Sequence, residues 1–432
     1  MNKPVNANQE FQSDFLSVTE ARTAISAVIH SIQAQARLHE AIESLPLKEC
    51  LGRILASDVL SPINVPANDN SAMDGFAFNG KELDAAQDPV NLRIAGAIYA
   101  GQTHSPSIQM GECIKVMTGA MMPPNCDTVI PQEFTKSSEE GSITFAKDTV
   151  RAGDNRRLCG EDLQAGKPAI QRGRILKASD IGLAASLGIA KLEVYQRIKV
   201  AILSSGDELC SIGVPLQPGK IYDSNRFSLH ACLSKLGFEI IDCGIVHDTP
   251  DDLRQAFMQA AQKADVIISS GGVSVGEADF TKQIMEELGQ VGFWKIAMRP
   301  GRPMAFGSLK PVSPKTAPTV FFGLPGNPVA VMVTFYQFVR NALLHLNGAL
   351  NPEIPLVSIQ SAEAIRKKSG RTEFQRGILF RDPEGRLLVK STGSQGAGIL
   401  RSMSEADCFM ILHHDQGNIA PGDWVDVEIF DG

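Results

Sequence analysis

Several short stretches between Ser205 and Pro328 carry residue types suited to holding a phosphorylated ligand. They are Ser205-Gly206-Asp207-Glu208, then Asp248, then Gly271-Gly272-Val273-Ser274 with Asp279, then Arg299-Pro300-Gly301-Arg302, then Leu324-Pro325-Gly326-Asn327-Pro328. Glycine lets the backbone take positive φ and approach a ligand closely. Consecutive N–H groups in such a turn can point at one anion. Arginine adds a planar fork that matches phosphate oxygens. Two acids, Glu277 and Asp279, follow the glycine turn. Acids beside a phosphate repel it unless a metal lies between, which points to Mg²⁺. The full G-x-x-x-x-G-K-[ST] phosphate loop and the G-x-G-x-x-G dinucleotide motif are both missing. No Ser-His-Asp or Cys-His order is readable, and no thiolate or histidine metal box. His413 and His414 are adjacent, so on a strand they face opposite ways and read as turn residues.

These groups need a scaffold that gathers them. Val266 to Ile268 is a β-branched run of the kind buried on both faces of a parallel sheet. Similar runs precede Ser205 and His247 and lie at 304–306 and 320–322, with helical stretches between most of them. Strand alternating with helix predicts a doubly wound parallel sheet over 197–348. Ligands of such sheets bind at the carboxyl ends of the strands, where the motifs above fall. Short strands with turn signals from 349 to 432 predict a small barrel or sandwich. Residues 18–41 have helical spacing, with Thr19 as a candidate N-cap. A mostly β module over 47–148 reads as an insertion, flanked by a helical and extended region of 14–46 plus 149–196.

Composition bounds the function. Of 432 residues, 41 are Lys or Arg and 48 Asp or Glu, so the net charge is −7. That argues against general nucleic-acid binding, which needs a basic face. The polar start has no apolar core of a signal peptide. No run approaches the roughly eighteen apolar residues of a membrane span. Eight scattered cysteines without a Cys-x-x-Cys pair read as reduced thiols. A cytoplasmic location follows as the expectation.

Six ordered motifs resemble one family. Ser71-Ala-Met-Asp-Gly75, Met117-Thr-Gly-Ala120, Ser205-Gly-Asp-Glu208, Ser269-Ser-Gly-Gly-Val-Ser-Val-Gly-Glu-Ala-Asp279, Pro300-Gly-Arg-Pro303 and Gly323-Leu-Pro-Gly-Asn-Pro328 are similar to those of the molybdopterin molybdenumtransferases. These are the molybdenum-insertion enzymes of molybdenum-cofactor synthesis, related to the E-type domain of gephyrin. The resemblance spans about 19–430. It implies a multidomain α/β protein: a discontinuous helical and extended region, an inserted β domain, an α/β pterin-binding domain and a C-terminal β-barrel-like domain. It also implies an elongated homodimer, with each active site between the α/β domain of one subunit and the inserted domain of the other.

The implied reaction joins molybdate to adenylylated molybdopterin with Mg²⁺, and AMP leaves. By this resemblance Asp248, Asp279 and Glu208 would handle the metal and the phosphoanhydride. Asp74 and Asp162 would complete the catalytic set from other segments, with Lys295 as a point positive charge. Thr118, Ser205, Gly206, Gly271, Gly272, Ser274 and Asn327 would contact substrate. Pro325 and Pro328 would shape the molybdate pocket. Arg299 and Arg302 stand where the family often has lysine, which keeps the charge and changes its shape. The preceding adenylyltransferase and molybdoenzymes are expected partners; nucleic acid and membrane are not. Two alternatives remain open. One is an adenylyltransferase-like enzyme, which carries Thr-Gly-Gly-Thr-Gly where this chain has Ser270-Gly-Gly-Val-Ser274. The other is a non-catalytic pterin-binding scaffold.

Overall fold

The computed structural model describes residues 15–36, 41–102, 107–138, 141–271, 280–313, 315 and 317–430. The chain forms two compact units. One holds residues up to Ser57, Gly173–Lys177 and Lys191–Gly432; the other holds Asp58–Arg172 and Ala178–Ala190.

At the centre of the first unit is a six-stranded sheet. Its strands are β1 (Lys199–Ser205), β2 (Glu239–Val246), β3 (Val266–Ser270), β4 (Gly289–Lys295), β5 (Pro303–Leu309) and β6 (Thr319–Leu324). The order is β2-β1-β3-β6-β5-β4. Helices α1 (Asn225–Lys235), α2 (Pro250–Lys263) and α3 (Phe280–Leu288) form the crossovers. Alternate strand residues face opposite ways. Val200, Ile202, Val266 and Ile268 join Leu229 and Leu233 of α1 in one core; Ala201, Leu203 and Ile267 join Leu253 and Phe257 of α2 in the other. Burial on both faces is why these strands read as continuous apolar runs.

The expected parallel pairing holds for β2, β1, β3 and β6. Beyond them the sheet turns antiparallel, β6 with β5 and β5 with β4. The connections there contain no helix, and a parallel neighbour needs a long crossover.

The run Pro328–Leu346 after β6 is 19 residues and is apolar enough to cross a membrane, contrary to the sequence expectation, but 78% of its window is buried inside the domain. It is a core helix by its packing. The N-terminal helix, Val18–Ala36, packs Ala21, Ile25, Ile29 and Ile32 into the same core. Its cap is Ser17 rather than Thr19. Ser17 Oγ accepts from the Glu20 N–H at 3.1 Å, and Glu20 Oε2 accepts from the Ser17 N–H at 2.7 Å. This reciprocal capping box outcompetes a lone threonine.

The C-terminal part closes into a barrel. Strand Thr372–Arg381 pairs with Leu387–Ser391, that with Val357–Ser361, then Trp424–Ile429, then Cys408–Leu412, which returns to Thr372–Arg381. Gly377 is the corner. It faces both Ser391 and Cys408, and an added Cβ would meet Cys408 Sγ and Val389 Cγ2 at 2.9 Å.

In the second unit a six-stranded sheet places Thr128–Pro131, Gly75–Phe78, Glu112–Val116, Val90–Ile98, Ser142–Phe145 and Lys136–Ser137 side by side. Phe76 and Phe78 feed one core and Ala77 the other, so Gly75–Phe78 is buried throughout.

Candidate functional site

The sheet order reverses at β1, between β2 and β3, so the crevice of this α/β unit lies at the carboxyl ends of β1 and β3. The backbone there is packed closely. Gly271 has φ +90, and its N–H donates to Leu324 O at 3.1 Å. A Cβ on Gly271 would lie 2.3 Å from Ser205 O. Gly206 has φ +145, and a Cβ there would meet the Glu208 carboxylate at 2.6 Å. Ser205 is buried beneath this turn. Thus Ser205, Gly206 and Gly271 come together as expected from their motifs. Gly272, Ser274 and Asp279 lie outside the described residues.

Three acids gather beside the turn. Asp207 and Glu208 follow Gly206, and the Asp248 N–H points at Asp207 Oδ1, 3.5 Å away, after β2. Burial pushes the Asp248 carboxyl above its ordinary range, and the negative charges of Asp207 and Glu208 add to this. Among the described residues, no group of three or more His, Cys, Asp or Glu side chains is arranged to hold a metal ion.

The antiparallel strands bring cations to the same edge. Lys295 ends β4 opposite Pro303, the first residue of β5, and is exposed. Arg302 is exposed, with its guanidinium 5.1 Å from the Phe15 ring centroid. Arg299 goes elsewhere. Met298 and Arg299 pair with Thr372 and Glu373 of the barrel, and Arg299 lines a barrel cavity of about 250 Å³ with Arg366, Arg376, Glu373, Ser391 and Gln395. Arg376 is fully buried. Its Nε donates to Ser402 Oγ at 3.0 Å and its Nη2 to Gly396 O at 3.2 Å, so these bonds leave its charge without a carboxylate. Burial, and then the neighbouring Arg299, bring Arg376 down to about 10.

Sequence reasoning missed Arg376, Arg366 and Gln395. No signal in the sequence set Arg376 apart: its strand Thr372–Arg381 also carries Glu373 and Gln375, and the burial of Arg376 is a tertiary fact. It also missed Asp223, which is 1% exposed beneath the strand ends and paired with Arg226 at 3.0 Å.

Pro325 is buried and Asn327 exposed at the turn after β6. Pro328 takes the first turn of the next helix, with Asn327 at its N-cap.

In the second unit, the Thr118 N–H and Oγ1 both donate to Asp74 Oδ1 at 2.7 Å. These two bonds hold the Asp74 carboxyl below its ordinary range. The loop is stitched by Ser71, whose carbonyl accepts from the Gly119 N–H at 2.8 Å and whose N–H donates to Ala120 O at 2.9 Å. Asp162 is exposed, and its N–H donates to Val65 O at 3.0 Å.

A multidomain α/β scaffold, a glycine-turned strand edge with acids and a guanidinium-lined barrel cavity are the features of an α/β protein that handles anionic ligands. Residues 16–188 match the family described as MoeA N-terminal region (domain I and II), 201–345 a probable molybdopterin binding domain, and 358–430 the MoeA C-terminal region (domain IV). A molybdopterin molybdenumtransferase of Haemophilus influenzae is 42% identical over 389 residues, covering 90% of this chain and 94% of the relative. Gephyrin of Dictyostelium discoideum is 28% identical, covering 90% of this chain and 59% of its own. A crystal structure of the molybdopterin biosynthesis MoeA protein from Pyrococcus horikoshii superposes with TM-score 0.76 at 26% identity, covering 96% of this chain and 100% of that one. The chain belongs to the molybdopterin molybdenumtransferase (MoeA) family.

Proposed function

We propose that this chain inserts molybdenum into molybdopterin, taking the adenylylated pterin and molybdate as substrates and releasing AMP. One observation carries the reading. The segment between β4 and β5 joins two anion-handling places: Lys295 and Arg302 lie at the sheet's carboxyl edge, while Arg299 lines the arginine-rich barrel cavity. A phosphoanhydride and a tetrahedral oxyanion are thereby held by one short stretch of chain.

The backbone at Gly206 and Gly271 makes room for the pterin phosphate, since side chains there would collide with the chain itself. Asp248 and Glu208, with Asp279, are the residues that would hold Mg²⁺. Among the described residues the acids do not by themselves form a metal site, but a cation would relieve the repulsion that Asp207 and Glu208 exert on Asp248. When bound, Mg²⁺ supplies charge neutralisation to the pyrophosphate. Lys295 adds positive charge near the leaving phosphate. Arg299, Arg366 and Arg376 hold molybdate. Arg376 favours an anion because burial has already removed its water. Pro325 and Pro328 keep the β6 turn rigid. Water cleaves the phosphoanhydride to AMP and the pterin phosphate, and the two dithiolene sulfurs form Mo–S bonds while one molybdate oxygen leaves as water with the two thiol protons.

The proposal includes a homodimer in the cytoplasm. Exposed Ile212, Val214, Leu216, Ile221, Tyr222 and Phe227 support an interface. Eight free cysteines support a reducing compartment. In that dimer Asp74, Thr118 and Asp162 of one copy complete the site of the other.

The test incubates purified protein with adenylylated molybdopterin, Mg²⁺ and molybdate, and follows AMP and active cofactor together. Molybdate-dependent appearance of both is expected. Arg376→Gln should raise the molybdate concentration needed by roughly ten-fold or more, without changing pterin affinity. An adenylylated pterin left intact by the wild-type protein would sink the reading.

A further inference from the structure

We infer that Asn225 reads the pterin or adenosine part of the bound pterin nucleotide, accepting a hydrogen bond from one of its N–H or O–H donors; this rests on the molybdenum-transfer reading above. Asn225 is the first residue of α1. Its Nδ2 donates to Gly326 O, 2.8 Å away in the turn after β6. A carbonyl oxygen only accepts, so the amide atom facing it is nitrogen and the amide orientation is settled by chemistry. The other atom, Oδ1, is buried and has no hydrogen-bond partner among the described residues. A buried acceptor left unpaired is costly and calls for an explanation.

The position of this acceptor is well supported. Asp223, two residues before, accepts from Ser204 Oγ at 3.0 Å, from the Arg226 N–H at 3.2 Å and from Arg226 Nε at 3.0 Å. Ser204 Oγ lies 2.9 Å from Ser270 Oγ, at the end of β3. Residues 223–226 are therefore tied to the ends of β1 and β3 on one side and to the β6 turn on the other. Asn225 is held at the carboxyl edge of the sheet, where ligands of such folds sit.

The chemistry selects the partner. Phosphate and molybdate oxygens at neutral pH are acceptors and cannot satisfy Oδ1. The donors of an adenylylated pterin are the ring N–H and amino groups of the pterin, the adenine amine and the ribose hydroxyls. A donor on the pterin or on the adenosine is thus the group that completes the Asn225 amide, and the amide becomes a specificity element beside an otherwise anion-binding turn.

The experiment measures binding of three probes to the full-length protein with Mg²⁺: adenylylated molybdopterin, AMP and inorganic pyrophosphate, which has no N–H donor. Asn225→Leu removes both amide atoms at similar volume, and Asn225→Ala repeats the test should the leucine variant not fold. Affinity for adenylylated molybdopterin should fall roughly ten-fold, while pyrophosphate binds as to wild type. An equal fall for AMP assigns the contact to the adenosine; unchanged AMP binding assigns it to the pterin. An equal loss on all three probes would overturn the inference, because it marks a structural role through the Gly326 turn. Unchanged binding of adenylylated molybdopterin would overturn it too. Wild-type protein that does not bind adenylylated molybdopterin defeats the transfer reading as well, whereas an unaffected variant defeats this inference alone.

Discussion

Asp248 shows how one carboxylate can be costly for the fold and useful for chemistry. Its carboxyl is raised by burial and by Asp207 and Glu208. A raised carboxyl contributes stability below its unfolded value, and that contribution is lost as pH rises through the folded value. At neutral pH the wild-type protein therefore carries repulsion at this point. Asp248→Asn in metal-free buffer should melt at the same or a higher temperature than wild type near about pH 7, with the gap closing as the buffer is made acidic. The same variant should release AMP about 10²-fold or more slowly, the scale of losing one electrostatic group. A variant that melts lower and keeps its rate would contradict both halves. Asp74 is the opposite case. Two donors from Thr118 hold it ionised without burial; the family motifs pointed to both residues but not to the contact between them.

At the scale of elements, the β3 turn is decided by close approach of two backbones. Gly271 sits at φ +90 with Ser205 O where a Cβ would go. Its left-handed backbone alone penalises alanine by roughly 1–2 kcal/mol, and a carbonyl oxygen cannot rotate away as a side chain can. Gly271→Ala should lower the urea midpoint by the equivalent of about 2 kcal/mol or more and weaken pterin-nucleotide binding. Unchanged midpoint and affinity would show that the turn relaxes freely. The position of the glycines was legible because a buried strand must end in a turn. Which glycine bears the contact was not, since that depends on how β1 and β3 lie against each other. The same limit explains the antiparallel β4 and β5, whose composition resembles that of the parallel strands.

For the whole molecule, the chain passes between its two units at 57–58, 172–173, 177–178 and 190–191. Each unit has cores of its own, so unfolding should not be a single two-state event. Calorimetry of the full chain should show more than one transition. Molybdate at ~100-fold above its Kd should stabilise the transition of the unit containing the barrel by about 2.7 kcal/mol. At the same molybdate concentration Arg376→Gln, with a Kd about ten-fold higher, should cut that shift to about 1.4 kcal/mol or less and leave the other transition where it was. One sharp transition, or an equal shift in both, would contradict this picture.

From the sequence alone came the runs that must be buried strands, the turns that end them and the motif set that names the family. Those follow from local rules: period, β-branching, glycine and proline. Tertiary structure decided which charges share a place. Arg299 and Arg302 are three positions apart in one motif, yet one lines a barrel cavity with Arg376 and the other stacks on Phe15. Arg376 joined the candidate site only because its strand closes a barrel beside the segment after β4. Thr118 and Asp74 likewise met through a loop crossing of 44 residues. Electrostatics depends on distance and burial, and neither is written in the order of residues along a chain.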